Sequence, residues 1–438
     1  MAGRGLLLLF LTIASLPTSA GTLAVDRQRA IDAFVQQFVD FAMFDGNIIV
    51  DIGGDVVYER SFGYAQVEQQ VPNNAATRFH LASVSKTITD AAVARMLQGG
   101  VFALDAAIAP YLPGFPRADE ITIEHLVKHT SGIPHTNRQP WGDGTQSLTI
   151  DEIVERLAEL PLDFEPGTDE AYSNGGYAVL AKILELAGEG TLSEVLHATV
   201  FEPLGMNDSG HVTDVRTPVP KKATGYEPGL HPGERRHTRY YAIESRPGGG
   251  SLYSTTGDML TFMRAVFRQD FVNAKLRGIV MGEDDSGYLS QGRSPGFVAK
   301  ALYRPEDDVI VVSLSNSYAV PSDWAAAIAD LATGKVEINP WPELKPDGRP
   351  IGTDDPRLGS YQSSYSDVPT VVSRDDAGNL VMGGTHDARN ALIPLVGGDF
   401  LQPIYYQLCQ QDKNTRIFTC TMLSGEERYT STHTPLHD

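Results

Sequence analysis

The sequence predicts an α/β protein of the α+β kind, in which helices pack on a central antiparallel sheet closed by strands from distant parts of the chain. Strand patterns stand at both ends of the first part of the chain, with mostly helical patterns between them, and a proline-rich stretch then leads to a run of short strands. We therefore expect a large domain at 21–334 with a helical subdomain, a linker at 335–357 and a small all-β domain at 358–438.

The first twenty residues have the features of a secretory signal peptide. Arg4 precedes an apolar run at 6–16, and the segment ends in small residues at Ala20. That run is too short to span a bilayer, which takes roughly 20 apolar residues, and no later stretch approaches that length. We expect cleavage after Ala20, export to the periplasm or the medium, and no membrane anchor.

The charge of the chain disfavours two classes of partner. The 438 residues include 35 Lys and Arg against 55 Asp and Glu, which gives a net charge of −20. Nucleic acid and anionic membranes would be repelled by this excess of negative charge. A small-molecule substrate fits the composition better, and the sequence leaves the oligomeric state open.

Periodicity locates the elements of the large domain. Apolar residues from Ile31 to Ala42 recur at helical spacing after Asp26, a candidate N-cap. Further patterns indicate strands at 46–52, 56–62, 296–303 and 309–314, and helices at 153–160, 176–187 and 257–267. A last helix is expected to begin at a Ser322 cap and to end at Gly334.

The C-terminal part of the chain has a different composition and different patterns from the large domain. Five prolines lie between Lys335 and Arg357, so this stretch is expected to be a semi-rigid linker. Short strand patterns follow at 370–373, 379–382 and 416–422. Cys409 and Cys420 are the only cysteines, and in an exported chain a disulfide across neighbouring strands is favoured over two unpaired thiols.

The first chemical signal is the segment from Ser83 to Lys86, the only Ser-x-x-Lys of the chain. At a helix start, Lys86 would lie one turn beyond Ser83 on the same face, within reach of its hydroxyl. A serine needs such a base to act as a nucleophile. The alternative is a serine that caps a helix and a lysine in solvent.

The second signal is Tyr172-Ser173-Asn174, which follows a turn and precedes a helical pattern. Next to Lys86, the phenol of Tyr172 would have its pKa lowered by the ammonium and would relay a proton from Ser83 to a leaving group. Asn174 would donate a hydrogen bond to a substrate carbonyl. The alternative is a tyrosine packed on the core with its hydroxyl bonded to backbone.

Together, five ordered motifs resemble the class C β-lactamase and serine DD-peptidase superfamily with its esterase relatives, over about 34–331. The motifs are Ser83-x-x-Lys86, His129-Thr130-Ser131-Gly132, Tyr172-Ser173-Asn174, Phe201-Glu202-Pro203-Leu204-Gly205-Met206, and the segment from Gly249 to Thr255.

The resemblance implies a β-lactamase/transpeptidase-like fold, with a five-stranded antiparallel sheet, flanking helices and a helical subdomain. It implies Ser83 as the acylated nucleophile, Lys86 as its partner, Tyr172 as general acid and base, and Asn174 as a substrate contact. His129, the glycines at 248–250 and Asp258 are read as scaffold.

The chain departs from the family at the strand that faces the serine. Where relatives carry Lys-Thr-Gly or His-x-Gly, this chain has Ser290-Gln291-Gly292, so the cation that pairs with a substrate carboxylate is missing. Gly292 is expected to let the substrate approach the strand edge. The amides of Ser83 and Arg293 would form an oxyanion hole, with the Arg293 side chain directed away. His231-Pro232-Gly233 has matching letters at the wrong place along the chain.

These observations favour a serine hydrolase that cleaves carboxylic esters, because esters need no carboxylate anchor. A β-lactamase or D-Ala-D-Ala carboxypeptidase acting on amides or peptides is the first alternative, and a non-catalytic binding protein with the same fold is the second. No cofactor or metal is expected, since the histidines lack H-E-x-x-H spacing. For the C-terminal domain, capping the cleft, dimerisation and stabilisation stay open.

Overall fold

The structure is a computed structural model of the chain. It describes residues 23–136, 144–214, 216–317, 319–336, 344–347, 353–355, 357–364, 370–375, 378–383, 390–396, 399–402, 407–412, 414–422 and 430–436. The predicted signal peptide at 1–20 and part of the predicted linker lie outside these residues. None of the described helices combines the length and the apolar character that crossing a membrane requires.

The large domain contains all the α-helices found in the described residues. They are α1 (Val25–Asp40), α2 (Ser85–Gln98), α3 (Ile123–Val127), α4 (Ile150–Ala158), α5 (Asn174–Ala187), α6 (Leu192–Leu196), α7 (Glu202–Leu204), α8 (Thr256–Arg268), α9 (Ala274–Leu276) and α10 (Trp324–Thr333). The strands of this domain are β1 (Gly46–Ile52), β2 (Asp55–Phe62), β3 (Tyr64–Gln66), β4 (Val71–Pro72), β5 (Phe79–His80), β6 (Gly210–His211), β7 (Tyr226–Pro228), β8 (Arg235–His237), β9 (Leu252–Ser254), β10 (Tyr288–Ser294), β11 (Phe297–Arg304) and β12 (Val309–Ser315).

The central sheet is antiparallel and runs in the order β10-β11-β12-β1-β2. Strand β1, from the start of the domain, pairs with β12 from its end, in a register that places Gly46 opposite Ser315 and Ile52 opposite Val309. The predicted sheet closed by distant strands is confirmed. Strand β10 stands at one edge, which leaves one side of it open.

Both faces of the sheet are covered, so its strands are almost continuously apolar. Ile48 and Val50 face α1 and α10, where Trp324 is fully buried, and Ile49 faces the core of the helical side. The ring of Trp324 lies 5.1 Å from that of Phe34, and its Nε1 donates to Ser313 Oγ at 3.0 Å. These contacts fix α1 and α10 on the face of the sheet away from the helical subdomain.

One local prediction is wrong. Helix α10 begins at Trp324 after Asp323, so Ser322 does not cap it; the Ser322 carbonyl accepts a hydrogen bond from Lys300 instead. The strand expected at Ser290-Gln291-Gly292 is present as β10, and the resemblance indicated it where a period-2 pattern does not, because its buried residues, Gly292 and Ser294, are small or polar.

The C-terminal domain is a closed antiparallel barrel in its described residues. Its strands are β13 (Gly359–Ser363), β14 (Thr370–Arg374), β15 (Leu380–Gly383), β16 (Asn390–Pro394), β17 (Phe400–Gln402), β18 (Gln407–Gln411), β19 (Phe418–Met422) and β20 (Thr430–Pro435). Tyr361, Phe400 and Phe418 fill its core. Cys409 and Cys420 lie opposite each other on β18 and β19 and form a disulfide.

Candidate active site

Ser83 lies in a tight turn between β5 and α2. The 3₁₀ turn spans Ala82–Val84, and α2 begins at Ser85, so Ser83 precedes the helix by two residues rather than beginning it. Ala82 has a left-handed φ of 46°, a strained conformation that is common where a side chain is presented for function. Hydrogen bonding of Leu81 N to Leu252 O ties the turn to β9.

The hydroxyl of Ser83 meets the phenol of Tyr172. Ser83 Oγ and Tyr172 Oη are 2.7 Å apart, a hydrogen bond between residues 89 positions apart in the sequence. Tyr172 sits on the loop before α5, where Ser173 N donates to His129 Nδ1 at 3.2 Å and the His129 ring packs 4.8 Å from the Tyr172 ring. His129 therefore positions the phenol, in keeping with its reading as scaffold.

Lys86 is buried under this pair. Its Nζ donates to Asn174 Oδ1 at 2.6 Å and to Gly249 O at 2.7 Å, and it lies 4.7 Å from the centre of the Tyr172 ring. Burial lowers the pKa of Lys86 to about 7. A neutral amine has two N–H donors and one lone pair. The oxygens of Asn174 and Gly249 accept both N–H groups, so the lone pair remains available to accept a proton.

One prediction for this group is wrong. The pKa of Tyr172 is raised, not lowered, because burial disfavours the phenolate more than the hydrogen bond from Ser83 favours it. The Lys86 amine, which was expected to be charged, is about half neutral near pH 7, because burial lowers its pKa as well. The phenol is thus protonated near pH 7, although 48% of the Tyr172 residue remains exposed.

Asn174 is the first residue of α5, a helix capped by the Ser173 hydroxyl, which accepts from Gly176 N at 2.9 Å. The side-chain oxygen of Asn174 accepts from Lys86, and the residue is buried. The structure therefore gives Asn174 a part in orienting the amine, and its contact with a substrate stays a prediction.

Sequence reasoning missed Asp90. This residue follows Lys86 by one helical turn on α2, is buried, and accepts the Tyr177 hydroxyl at 2.7 Å. Burial raises the pKa of Asp90 to about 8, and the charge of Asp90 opposes the lowering of the Lys86 pKa. The i, i+4 spacing from Lys86 was the available signal.

Gly292 packs closely against the turn that carries Ser83. A Cβ at this position would lie 2.3 Å from Leu81 O and 2.8 Å from Ser83 N, both backbone atoms of the Ser83 turn. The glycine therefore lets β10 pack against the turn that carries the serine. Its part in the approach of a substrate to the strand edge stays a prediction.

Arg293 places its amide and its side chain on different sides. Ser294 and Phe297 lie opposite each other where the hairpin turn joins β10 to β11. Hydrogen-bonded and non-hydrogen-bonded pairs alternate along an antiparallel ladder, so the amide of Arg293, in the next pair, is directed to the open edge of the sheet. Its cross-strand partner Val298 belongs to the core under α1 and α10. The side chain thus faces away from the Ser83 turn, as expected for an alternating strand.

Ser290 is part of a neutral hydroxyl cluster. Thr87 Oγ1 donates to Ser290 Oγ at 2.8 Å and lies 2.7 Å from Tyr288 Oη. The position of the family's cation is therefore occupied by hydroxyls. His231, the matching motif set aside above, lies 3.4 Å from Asn379 of the barrel.

We expect Gly292→Ala to lower kcat/KM for an ester by about 100-fold, because displacement of the serine turn by even about 1 Å costs that much in catalysis. Initial rates with 4-nitrophenyl butyrate measure the effect. Gly114→Ala, where a Cβ has open space, is the matched control and should keep full activity. Full activity of Gly292→Ala would show that strand and turn are not held in contact as described.

Several known proteins are similar to this chain in sequence or in fold. The family model described as "Beta-lactamase" matches residues 31–333. Penicillin-binding protein 4* of Bacillus subtilis is 31% identical over 245 residues, which are 52% of this chain and 54% of that protein, so the chain spans about half of its length. Esterase EstB of Burkholderia gladioli is 30% identical over 66% of this chain and 82% of its own. The crystal structure of D-amino acid amidase from Ochrobactrum anthropi SV3 superposes with a TM-score of 0.61 over 70% of this chain and 98% of its own, at 21% identity.

Proposed function

This chain belongs to the beta-lactamase family of serine hydrolases, and we propose that it is a carboxylesterase that works through an acyl-enzyme on Ser83. The observation that carries the proposal is the 2.7 Å hydrogen bond between Ser83 Oγ and Tyr172 Oη, with the buried amine of Lys86 beneath the phenol ring. A hydroxyl, a phenol and an amine from distant segments converge at one turn.

The environments of Lys86 and Tyr172 assign the base and the acid. Neighbouring groups whose pKa values are pushed apart take opposite roles in proton transfer. Near pH 7 the amine of Lys86 is partly neutral and accepts the Ser83 proton as the serine oxygen attacks the ester carbonyl. Tyr172, held protonated by burial, gives its proton to the departing alcohol and regains one from Lys86.

The charge that develops on the carbonyl oxygen is placed between the amides of Ser83 and Arg293. One such donor contributes about 3 kcal/mol to the stability of the transition state. A water molecule then attacks the acyl-enzyme, and the same two groups carry the proton in reverse. Neither step needs a metal or a cofactor.

Ser290 supports esters over penicillins and D-Ala-D-Ala peptides. The hydroxyls of Ser290 and Thr87 stand where relatives place a cation, so a substrate carboxylate loses its charge-assisted hydrogen bond there. Intact-mass detection of acyl adducts, combined with turnover, tests the choice on 4-nitrophenyl esters, benzylpenicillin and a D-Ala-D-Ala peptide. We expect adducts and turnover with esters, and higher kcat/KM for a penicillin or a peptide than for every ester would contradict the proposal.

A β-lactamase or D-Ala-D-Ala carboxypeptidase is the second candidate, supported by the likeness to penicillin-binding protein 4*. A stoichiometric burst with benzylpenicillin, or release of D-alanine from the peptide, would favour it. A non-catalytic binding protein would give a stable covalent adduct with no turnover of any ester. The convergence of Ser83, Tyr172 and Lys86 argues against that reading.

We also propose that the protein is exported, on the strength of the N-terminal segment 1–20. Expression of the full chain in a bacterial host, followed by N-terminal sequencing of the protein outside the cytoplasm, tests this. A mature chain that begins at Gly21 is the expected result, and an uncut chain confined to the cytoplasm would contradict it.

The pH dependence of kcat/KM should report the Lys86 amine. Because burial lowers the pKa of Lys86 to about 7 and the neutral form is the base, activity rises as the pH increases through about 7. Asp90→Asn removes a carboxyl whose charge raises this pKa. Because the pKa of Asp90 is about 8, that carboxyl is only partly ionised near pH 7, so the acid limb should move to lower pH by a small amount, while the new amide oxygen still accepts the Tyr177 hydroxyl. Asp119→Asn, at an exposed site, should leave the limb in place, and a limb that moves upward in Asp90→Asn would refute the assignment.

A further inference from the structure

A cavity of about 520 Å³ lies next to the Ser83 turn. Its walls come from β5, the turn between β10 and β11, and the residues at 217–219, 222–225, 237–241 and 243. The cavity does not belong to the Ser83–Tyr172–Lys86 group, and nothing in the mechanism above uses it.

The ionisable groups of this cavity are basic or phenolic. Lys222, His237 and Arg239 line it together with His80, which is uncharged near pH 7 because burial lowers its pKa to about 3. No aspartate or glutamate among the described residues lines it. This is unexpected in a chain with a net charge of −20. A basic cavity on an acidic protein indicates an anionic ligand.

Lys222 is the strongest candidate for contact with that anion. The residue is half-buried and makes no ion pair with another described residue, whereas His237 pairs with Glu68 at 2.7 Å. Burial lowers the pKa of Lys222 more than the charge of Glu244 raises it. A bound carboxylate would supply the partner that a desolvated ammonium requires.

Two residues that line the cavity are close in sequence to residues of the reacting centre. His80 stands three residues before Ser83, and Ser294 directly follows Arg293, whose amide is placed to bind the oxyanion. Tyr241, another lining residue, lies near enough to raise the pKa of Tyr172. A substrate carbonyl held between the two amides therefore has the cavity on its Ser294 side and the hydroxyl cluster of Ser290 on its other side.

The acyl group and the leaving group of a substrate lie on opposite sides of its carbonyl, one toward Ser294 and the other toward Ser290. In a D-Ala-D-Ala peptide, the carboxylate that the family's cation binds belongs to the departing D-alanine, so the leaving group lies toward the Ser290 position. The acyl group then extends past Ser294 toward Lys222. We propose that the cavity binds a carboxylate carried on the acyl group, so that monoesters of dicarboxylic acids are the preferred substrates; this rests on the proposed esterase function.

The experiment compares two esters of equal acyl length, the 4-nitrophenyl monoester of adipic acid and 4-nitrophenyl hexanoate. The unchanged protein should prefer the monoester in kcat/KM. Lys222→Met should lower kcat/KM for the monoester roughly 10- to 100-fold, the range of a lost charge-assisted hydrogen bond, and should leave hexanoate within about 2-fold. Lys221→Met, an exposed neighbour outside the cavity, removes the same charge and should leave both values unchanged.

The hexanoate rate of each variant shows that it is folded and active. If Lys222→Met changes both esters equally, or neither, the inference is overturned while the esterase function stands. If the hexanoyl ester of 4-hydroxybenzoate depends on Lys222 and the adipate monoester does not, the carboxylate lies on the leaving group and the assignment to the acyl side is wrong. Failure of the unchanged protein to hydrolyse any of these esters overturns the esterase function, and the inference with it.

Discussion

Ser83→Ala is expected to lower kcat/KM for a neutral ester by roughly 10⁴-fold or more, because without the nucleophile only substrate binding and the oxyanion donors remain. The alanine fits the turn without strain beyond that already present, since the Ser83 hydroxyl bonds Tyr172 and not the backbone of the turn. The loss should therefore be one of chemistry and not of folding.

Labelling with a fluorophosphonate probe and intact-mass analysis separates these outcomes. The unchanged protein should gain one adduct, and Ser83→Ala should gain none while keeping its thermal unfolding temperature. Ser61→Ala, which removes an exposed hydroxyl on β2, should label and turn over normally. Undiminished labelling of Ser83→Ala would place the nucleophile elsewhere.

The fold was largely accessible from the sequence because its strands carry strong patterns. Strand β1 was predicted at its observed bounds, since a run of buried residues between a glycine and a two-glycine turn leaves little choice. Strand β10 was not predicted from its pattern. It packs against the Ser83 turn through Gly292, and its Ser290 belongs to the neutral hydroxyl cluster, so neither residue contributes to an apolar pattern. The motif itself, read through resemblance, marked that strand better than its periodicity.

The site was predictable in its members and not in its electrostatics. The spacing of Ser83 and Lys86 and the loop position of Tyr172 are local features, so a linear reading found them. The direction of the Tyr172 pKa shift depends on how much chain covers the phenol, and the oxygen atoms around Lys86 come from residues 88 and 163 positions away. Burial of this kind depends on how the whole chain packs. The role of Asp90 depends on its burial, so the sequence did not predict that role either.

Tyr172→Phe is expected to lower kcat for esters by roughly 10²- to 10⁴-fold, the range for loss of a general acid. The ring is retained, so its packing against His129 and over Lys86 should persist. Because 4-nitrophenolate leaves without a proton, the loss should be smaller for 4-nitrophenyl esters than for ethyl esters of the same acid. This dependence on the leaving group separates an acid that protonates the alcohol from a residue that only shapes the site.

The comparison needs both ester series at several pH values. Tyr64→Phe, at an exposed tyrosine outside the site, should match the unchanged protein in each. Equal losses for the two leaving groups would mean that the phenol orients Ser83 without giving up its proton, and Lys86 would then have to serve as both base and acid. In that event the ethyl-ester profile would keep a single acid limb near the Lys86 pKa of about 7, because the amine has to be neutral only in the free enzyme and then passes the proton it takes from Ser83 to the alcohol.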